Sequence, residues 1–566
     1  MTPGSDPVDA APALRLRGIT KRFGALLAND GIDLDLARGE VLALLGENGA
    51  GKTTLMNILF GHYLADAGTV EAAGADGVLV PLRPGSPQAA LAAGIGMVHQ
   101  HFALADNLSV FDNIVLGSQP LWRPALRRRG ARAKLAVLIE ASGLAVPLDA
   151  PVSGLSVGER QRVEILKALY RDARVLILDE PTAVLTPQEA DGLFAVLRRL
   201  AGQGLAIVFI SHKLGEVLAI SRRVVVLRAG RVAAEMATAG VDRAALAEAM
   251  VGRTVAEVQR RPAAPGAAVL ALDGVTLRGP GGRALLDGVS LTLRGGEVVG
   301  IAGVSGNGQA ALADLVAGLA APDSGRVTLF DRPAPLGSPA AMVAAGVGRI
   351  PEDRHRDGVV GDMAVWENAA LEAYRRPEAQ RAGLLRRVVL RDRARRLIAD
   401  YDVRCPGPEA RTRLLSGGNM QKLILGRVLE RSPGLVLACQ PTRGLDVGAV
   451  AEIHGRLLAA RDRGAGVLLV SEDLDELFAL SDRIAVMYRG RLTEPWPAER
   501  LTIRALGLMM AGQEPAGGEI SGEAGATPSP EIADAISTSP QGEVKGLRVS
   551  PLLGEREGPD PSGSGG

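Results

Sequence analysis

Residues 46–53 read Gly-Glu-Asn-Gly-Ala-Gly-Lys-Thr, and this stretch decides the fold. Its glycine, lysine and threonine spacing is that of a phosphate-binding loop, in which backbone N–H groups and a helix start face an anion. The apolar run at 41–45 precedes it, and such a run without alternation is typical of a strand covered on both faces. The sequence therefore predicts an α/β fold with a phosphate site at the end of a buried strand.

The chain contains this unit twice. Gly-Glu-Val at 39–41 recurs at 296–298, 257 residues later, and Pro-Thr at 181–182 recurs 260 residues later. So little drift over a whole domain indicates duplication of a domain and not a solenoid array. We expect two domains, with a linker and two disordered ends of low apolar content. The predicted segments are 1–12 (disordered), 13–258 (first domain), 259–268 (linker), 269–513 (second domain) and 514–566 (disordered tail).

Composition excludes several classes of function. The chain of 566 residues has 64 basic and 63 acidic residues, so no net field attracts nucleic acid, and we expect no nucleic-acid partner. The cluster Arg127-Arg128-Arg129 with Arg132 is expected to be a solvated helix face, with a local basic patch as the alternative. The chain contains only two cysteines, which suits a reducing compartment. No apolar run approaches the ~18 to 20 residues that span a bilayer, so a membrane role would need partner chains.

The first copy carries the groups needed for phosphoryl chemistry. Lys52 is expected to reach the outer phosphates, and the Thr53 hydroxyl is expected to bind Mg²⁺. Asp179 and Glu180 end a buried strand beside the loop, where Asp179 suits the Mg²⁺ shell and Glu180 can polarise the attacking water. His212 follows another apolar run and is assigned to the surroundings of the γ-phosphate and Glu180.

Further nucleotide contacts are expected around the loop. Phe23 precedes a glycine between two early strands and is predicted to stack on adenine, with a plain buried aromatic as the alternative. The loop residues expected to contact the nucleotide are Gly46, Asn48, Gly49, Gly51, Lys52, Thr53 and Thr54.

The second copy has lost these chemical groups together. The replacements are Gln309 for Lys52, Ala310 for Thr53, Cys439 for Asp179, Gln440 for Glu180, Glu472 for His212 and Pro280 for Phe23. Losing one pre-placed charge or donor typically costs about 10²-fold or more in rate, so we expect no useful hydrolysis there. Two loop glycines remain, which leaves weak nucleotide binding open beside a structural role.

The turn at 415–419 shows the opposite asymmetry. It reads Leu-Ser-Gly-Gly-Asn in the second copy, whereas the first copy has Val157 inside its Leu-Ser-Val-Gly-Glu turn. If the two copies pair face to face, each nucleotide lies between one copy's phosphate loop and the other copy's turn. That pairing brings the intact pieces together in one site and the altered pieces together in the other.

Each copy also contains a capped helix with an aromatic residue. Ser109 to Asp112 match a capping box, and Phe111 is on the apolar side of the helix that follows. The second copy repeats the pattern with Trp366. Core packing is the main interpretation of both aromatic residues, and a docking surface for another subunit is the alternative.

These ordered motifs resemble the ATP-binding cassette (ABC) family from about residue 13 to 513. The resemblance implies that each copy has a mixed parallel sheet and a helical subdomain, and that ATP and Mg²⁺ are bound. It implies that Gln100 senses the γ-phosphate and Mg²⁺ and transmits the state to a membrane partner. It also implies that Ser416, Gly417 and Gly418 complete the site built on Lys52.

The fused pair, with its motifs at 351–354 and 441–446, looks like the ATPase subunits of bacterial importers for nucleosides and simple sugars. His-Gln-His-Phe at 99–102 favours the nucleoside branch, and simple sugars are the alternative. The resemblance implies two integral membrane permease subunits, indirectly a substrate-binding lipoprotein, and a place on the cytoplasmic face of the bacterial inner membrane. A soluble tandem factor acting on ribosomes or DNA is a different class, and the short linker and single intact site argue against it.

Overall fold

The computed structural model describes residues 12–24, 26–74, 76–99, 102–118, 128–182, 185–211, 213–252, 260–262 and 264–513. Within these residues the chain forms two α/β cassettes, each with a four-stranded antiparallel sheet and a mostly parallel sheet, and the second cassette adds a two-stranded antiparallel sheet. The α/β prediction is therefore confirmed. The predicted disordered ends lie outside the described residues, except for Pro12, which the structure places at the start of the first strand.

In its described residues the first cassette forms ten strands and eight α-helices. The strands are β1 (Pro12–Phe23), β2 (Leu26–Ala37), β3 (Val41–Gly46), β4 (Ala67–Ala73), β5 (Leu79–Pro81), β6 (Ile95–Val98), β7 (Val175–Asp179), β8 (Ala206–Ile210), β9 (Arg223–Arg228) and β10 (Arg231–Ala237). The helices are α1 (Lys52–Leu59), α2 (Pro87–Ala92), α3 (Val110–Val115), α4 (Arg128–Ser142), α5 (Val157–Tyr170), α6 (Pro187–Gly202), α7 (Leu214–Ile220) and α8 (Arg243–Val251).

The second cassette repeats this order with additional short strands. Its strands are β11 (Ala268–Arg278), β12 (Ala284–Arg294), β13 (Val298–Ala302), β14 (Ser324–Leu329), β15 (Arg332–Pro333), β16 (Val347–Ile350), β17 (Gln380–Arg381), β18 (Leu384–Leu385), β19 (Leu435–Cys439), β20 (Gly466–Ser471), β21 (Arg483–Tyr488), β22 (Arg491–Leu492) and β23 (Trp496–Pro497). Its helices are α9 (Gln309–Val316), α10 (Pro339–Ala344), α11 (Val365–Ala370), α12 (Arg387–Asp400), α13 (Gly417–Leu429), α14 (Val447–Asp462), α15 (Leu474–Leu480) and α16 (Ile503–Met510).

The central strand of each core sheet leads into the phosphate-loop segment. In the first cassette the strand order is β10-β9-β3-β8-β7-β6, and β3 pairs in parallel with both β8 and β9. In the second cassette β13 lies between β20 and β21 in the same way. All six residues of β3 are buried because helices and the antiparallel sheet cover its two faces. This burial accounts for the continuous apolar run in the sequence.

A helical subdomain inserts between β6 and β7, and its counterpart inserts between β16 and β19. Ser109 caps α3 by accepting a hydrogen bond from the Asp112 N–H at 3.0 Å. Phe111 is fully buried, and the guanidinium of Arg132 lies 4.9 Å from the centre of its ring. Trp366 is also buried, so the core interpretation of both aromatic residues is confirmed.

The two cassettes belong to one compact unit and touch through their last helices. Helix α8 of the first cassette packs against α14 of the second, and α16 of the second packs against α6 of the first. Gln188 donates a hydrogen bond to the Arg504 carbonyl at 3.3 Å across the second of these contacts. None of the helices in the described part of the chain has the length and apolar character needed to cross a bilayer.

Candidate functional site

The first phosphate loop is shaped by glycines that no other residue could replace without strain. Gly46 and Gly51 have φ angles of 150° and 100°. A side chain at Gly46 would collide with the Leu227 carbonyl, and one at Gly51 would collide with the Ala28 carbonyl. The Cβ position of Gly49, in contrast, has no other atom within 4 Å. The loop is therefore packed tightly against neighbouring backbone at Gly46 and Gly51 and is open at Gly49.

Lys52 begins α1 and turns back over the loop. Its Nζ donates hydrogen bonds to the carbonyl oxygens of Gly46 at 2.7 Å and Glu47 at 3.0 Å. Burial lowers the pKa of Lys52, and the negative charges of Glu180 and Asp179 act in the opposite direction. On the same helical turn Thr53 is exposed and Thr54 is half-buried. The loop thus places the ammonium group of Lys52 and the exposed hydroxyl of Thr53 beside the carboxylates of Asp179 and Glu180.

The acidic pair lies at the carboxyl end of β7, next to β8. The N–H of Glu180 donates to the Ile210 carbonyl at 2.9 Å, and Glu180 has a φ of 48°. A non-glycine residue in this left-handed region costs of order 1 kcal/mol and persists only where the surroundings fix it. Burial, followed by the charge of Glu180, raises the pKa of Asp179, and Lys52 opposes the shift. The two neighbouring carboxylates therefore repel each other, and a bound cation would stabilise them.

Asp179→Asn is expected to stabilise the nucleotide-free chain, and more so at neutral pH than at about pH 5. Because the folded-state pKa of Asp179 is raised, its stabilising contribution is present at low pH and is lost as pH rises through that pKa. Asparagine carries no charge and avoids this loss. Calorimetric unfolding of both chains across pH measures the difference.

Asp112→Asn is the matched control, because hydrogen bonds from Ser109 and Arg128 lower the pKa of Asp112. Its replacement is expected to change stability in the opposite direction, with a loss that shrinks as pH falls through the lowered pKa. A fall in the unfolding temperature of Asp179→Asn at every pH would show that Asp179 is not strained by its surroundings.

Two predicted catalytic residues, Gln100 and His212, lie outside the described residues, so their roles stay predictions. A neighbouring group that the sequence reasoning missed is Glu216. Its carboxylate accepts hydrogen bonds from the Thr182 hydroxyl at 2.6 Å and the Ser211 hydroxyl at 2.9 Å. Glu216 therefore fixes the segments that follow β7 and β8 against each other. A glutamate five residues after a serine carries no sequence signal for such a role.

Phe23 lies at the end of β1 with 43% of its surface exposed. Its ring meets the ring of Tyr63 edge to face at 5.6 Å, and the Lys21 Nζ lies 5.3 Å from its centre. The alternative of a buried aromatic is wrong, because two large aromatic faces are left at the surface here. Tyr63, which follows α1, was not predicted; the two rings are available for stacking on a base.

The second cassette presents the plainer signature turn, residues 415–419. Ser416 caps α13, and its hydroxyl oxygen accepts a hydrogen bond from the side-chain amide of Asn419 at 2.8 Å. Ser416 is exposed, while Gly417 and Gly418 are half-buried. A helix start with backbone N–H groups and a neutral amide can receive a phosphate.

The corresponding turn of the first cassette already contains a carboxylate. Glu159 accepts a hydrogen bond from the Ser156 N–H at 2.8 Å and forms a capping box with it. Val157 is exposed in place of Gly417. A negative side chain at the helix start opposes a second anion, so this turn is less suited to phosphate than its counterpart.

The intact phosphate loop contacts the second cassette. The Asn48 side-chain amide donates to the Gly444 carbonyl at 2.6 Å, 396 residues away in sequence. The charge of Asp446 also acts on Lys52. Gly444 and Asp446 belong to the D-loop, our name for residues 441–446 of the second cassette. In the sequence this stretch is recognisable only as a family marker, and its contact with the phosphate loop could not be predicted from it.

The phosphate-loop segment of the second cassette keeps its shape without its charge. Gln309 takes the place of Lys52, and its Nε2 donates to the Val304 carbonyl at 3.0 Å. Burial raises the pKa of Cys439, which replaces Asp179, to about 12, so its thiol stays neutral. Gln440 keeps the left-handed backbone of Glu180, with a φ of 47°, and accepts a hydrogen bond from the Glu472 N–H. The scaffold is thus preserved while the charged groups are absent.

The groups at the first loop fit ATP with Mg²⁺. An open glycine loop, an ammonium group and an exposed threonine hydroxyl suit phosphates, and Asp179 and Thr53 supply the hard oxygen ligands that Mg²⁺ uses beside phosphate oxygens. No group of three or more potential metal-ligating acids, histidines or cysteines occurs in the described residues. Such a group is not needed where phosphates complete the coordination.

Comparison with known proteins gives a consistent result across most of the chain. A family model described as ABC transporter matches residues 29–183 and 286–443. The guanosine import ATP-binding protein NupO of Bacillus subtilis (strain 168) is 43% identical over 500 residues, covering 88% of this chain and 97% of the relative. The nucleoside import ATP-binding protein NupA of Lactococcus lactis subsp. cremoris (strain MG1363) is 43% identical over 500 residues, covering 88% and 98%.

A sugar-related protein is equally similar. The glucose import ATP-binding protein TsgD13 of Haloferax volcanii is 45% identical over 546 residues, covering 91% of this chain and 98% of the relative. Among solved structures, the complex containing the archaeal ribosome recycling factor aABCE1 has a TM-score of 0.59 at 18% identity, covering 92% of this chain and 98% of that chain. At that identity the likeness bears on the fold of tandem cassettes alone.

Proposed function

Since this chain belongs to the ABC transporter family and is the ATP-hydrolysing subunit of an importer, we propose that one composite site built on Lys52 does the hydrolysis and that the cargo is a nucleoside. In this proposal the first cassette supplies the phosphate loop, the metal ligands and the catalytic carboxylate. The second cassette supplies the signature turn of Ser416, Gly417 and Gly418.

The single observation that carries the composite site is the contact between the two cassettes at the intact loop. Asn48 donates a hydrogen bond to the Gly444 carbonyl in the D-loop, and the charge of Asp446 acts to raise the pKa of Lys52. The Lys52 loop therefore faces the cassette with the unmodified Ser-Gly-Gly turn. This favours a site that combines the complete loop with the complete turn.

The residues of the first cassette divide the chemistry among them. Lys52 and the loop N–H groups hold the phosphates, and Phe23 stacks on the adenine. Glu180 orients and polarises the attacking water, since phosphoryl transfer asks mainly for positioning and charge stabilisation. Thr53 and Asp179, with Gln100, would hold Mg²⁺, which would neutralise phosphate charge when bound. His212, which follows β8 in the sequence, is assigned to the surroundings of the γ-phosphate and Glu180.

Transport follows from coupling this site to partner chains. We place the protein on the cytoplasmic face of the membrane, bound to two permease subunits that a lipoprotein loads with cargo from outside. ATP binding draws the cassettes together across the composite site, and hydrolysis releases them, so the permease alternates between two states. The similarity to import ATP-binding proteins supports these partners.

The nucleoside assignment rests on two relatives named for guanosine and nucleoside import and on the sequence His-Gln-His-Phe at 99–102. Simple sugars are the second candidate, since relatives named for glucose and ribose import are 45% and 43% identical to this chain. The cargo does not pass through this subunit in either case. The cargo is therefore decided by the permease that it binds.

The test is transport by the complex of this chain with the permease subunits that co-purify with it. In proteoliposomes we expect ATP-dependent uptake of radiolabelled guanosine or adenosine that unlabelled ribose and glucose in large excess do not inhibit. The same complex carrying Glu180→Gln is the matched control and should take up neither guanosine nor adenosine. Uptake of a pentose or hexose without uptake of nucleosides would overturn the assignment in favour of the sugar reading.

A further inference from the structure

Arg354 joins three loops of the second cassette. It follows β16 and opens a single π-turn, Arg354–Gly358. Its Nη1 donates to the carbonyl oxygen of Gly417 at 3.3 Å, and its Nη2 donates to the carbonyl oxygen of Arg443. One guanidinium therefore ties the loop after β16 to both the signature turn and the D-loop.

One of these partners, Arg443, lies next to the residue that contacts the Lys52 loop, and the other, Gly417, belongs to the signature turn proposed for the same site. The residue after Arg443 is Gly444, whose carbonyl accepts the hydrogen bond of Asn48. A Cβ at Gly417 or Gly444 would lie 3.3 or 3.5 Å from the Arg354 guanidinium, so both glycines pack directly against it. The position of the signature turn relative to the D-loop thus depends on this side chain.

The charge of Arg354 has no conventional explanation as an ion pair. No carboxylate among the described residues lies within 4.0 Å of its guanidinium, whereas the neighbouring Arg443 pairs with Glu352. Burial lowers the pKa of Arg354, the charge of the adjacent Asp353 opposes this shift, and the charge of Arg443 adds to it. Partial burial of a cation with no carboxylate in direct contact is unfavourable unless its N–H groups are used in hydrogen bonds. The planar fork of arginine can serve two carbonyls at once, which the single nitrogen of lysine does less well.

The loop after β16 is the counterpart of the loop after β6, which contains Gln100. The two strands hold equivalent places, since β6 pairs with β7 and β16 pairs with β19. In the second cassette this loop has Glu352 in the place of Gln100, and Glu352 pairs with Arg443 of the D-loop. Arg354 and Glu352 therefore both connect the loop after β16 to the D-loop, Arg354 through the carbonyl of Arg443 and Glu352 through its side chain.

We propose that Arg354 is a positioning residue for hydrolysis at the Lys52 site, which holds the signature turn and the D-loop in register with each other and with the loop after β16. The inference rests on the composite site proposed above. Arg354 acts through the backbone of Gly417 and Arg443 and not by contact with the reacting atoms. Arg354 also links the signature turn to the loop after β16, which is the counterpart of the loop that contains Gln100.

The test compares Arg354→Ala, Arg354→Lys and the control Arg356→Ala in the full-length chain. Arg356 lies two residues further on in the same turn, and its side chain is 83% exposed. For Arg354→Ala we expect kcat for Mg-ATP to fall by about tenfold or more, with KM for ATP nearly unchanged, because the loop that binds ATP first is intact. Arg354→Lys should be intermediate, and Arg356→Ala should match the unmodified chain.

A second readout needs no nucleotide. Amide hydrogen exchange should become faster in Arg354→Ala at residues 417–420 and 443–445 and stay unchanged in the phosphate loop at 46–53. If Arg354→Ala does not fold, the same two measurements on Arg354→Lys decide. Unchanged exchange at both turns, or a rise in KM at constant kcat, would overturn the positioning role.

Failure of the composite site would look different. In that case Glu180→Gln would retain hydrolysis, while faster exchange at 417–420 and 443–445 in Arg354→Ala would still report the local bracing. Full activity of Arg354→Lys would show that only the charge matters, and would also refute positioning through two carbonyls.

Discussion

Glu180→Gln is expected to reduce the rate of ATP hydrolysis by about 10²- to 10³-fold while ATP still binds. Glutamine has nearly the same shape, but its amide cannot accept the proton of an attacking water. The left-handed backbone of Glu180 and its N–H bond to Ile210 hold the side chain in one place, so the substituted amide should occupy the same position. Phosphate release and equilibrium binding of ATP to the full-length chain measure the two effects separately.

Gln440→Ala is the matched control in the other cassette. Gln440 has the same left-handed conformation as Glu180, and its N–H donates to the Val470 carbonyl at 2.7 Å, so the two sites differ in chemistry and not in backbone. We expect hydrolysis by Gln440→Ala to stay at the unmodified rate. Substantial hydrolysis by Glu180→Gln, or a comparable loss with Gln440→Ala, would refute hydrolysis at a single site.

The fold could be predicted because its determinants are local. The apolar runs at 41–45 and 175–178 become β3 and β7, and the glycine loop after β3 must adopt positive φ angles that its sequence allows. The offset between the two copies then assigns the second core sheet to the same plan. In each case a short stretch of sequence carries the whole physical argument.

The contacts through which the cassettes meet could not be predicted from such stretches, although the expected face-to-face pairing sets the Lys52 loop against the Ser416 turn. Asn48 is an ordinary polar residue in a phosphate loop, and nothing near it in the sequence indicates Gly444 as its partner. The same is true of Tyr63, which meets Phe23 only because β1 and the end of α1 come together in space. Contacts of this kind depend on the packing of distant elements, so the sequence predicted the two halves of the site without the bonds that join them.

The altered site has a physical logic of its own. In the first cassette burial, followed by the charge of Glu180, raises the pKa of Asp179, which is unfavourable for the nucleotide-free protein and useful only with a cation. In the second cassette the same position holds the neutral thiol of Cys439, buried to 6% exposure. Removing the charge eliminates that strain. The second cassette thus retains the shape needed to carry the signature turn and the D-loop without the unfavourable charges of a working metal site.

Lys52→Gln is expected to abolish measurable hydrolysis, with a loss of about 10²-fold or more, and to weaken ATP binding as well. The substitution gives the first loop the chemistry already present in the second. Gln309 shows that a glutamine can brace such a loop, since its Nε2 bonds to the Val304 carbonyl at 3.0 Å much as the Lys52 Nζ bonds to the Glu47 carbonyl. The loop should therefore keep its fold and lose only the positive charge, which an unchanged unfolding temperature would verify.

The reciprocal change, Gln309→Lys, is expected to restore nothing. A lysine there would meet a neutral Cys439 and the amide of Gln440, with Ala310 in place of the metal-binding hydroxyl, so charge on the phosphates would return without a metal shell or a catalytic carboxylate. Hydrolysis is measured in the chain carrying both substitutions, because the intact first site would otherwise mask a small gain. Recovery of ATP hydrolysis in that double variant would mean that the second cassette retains catalytic groups of its own, and that the division of labour between the two halves is not the one argued from Asn48 and Gly444.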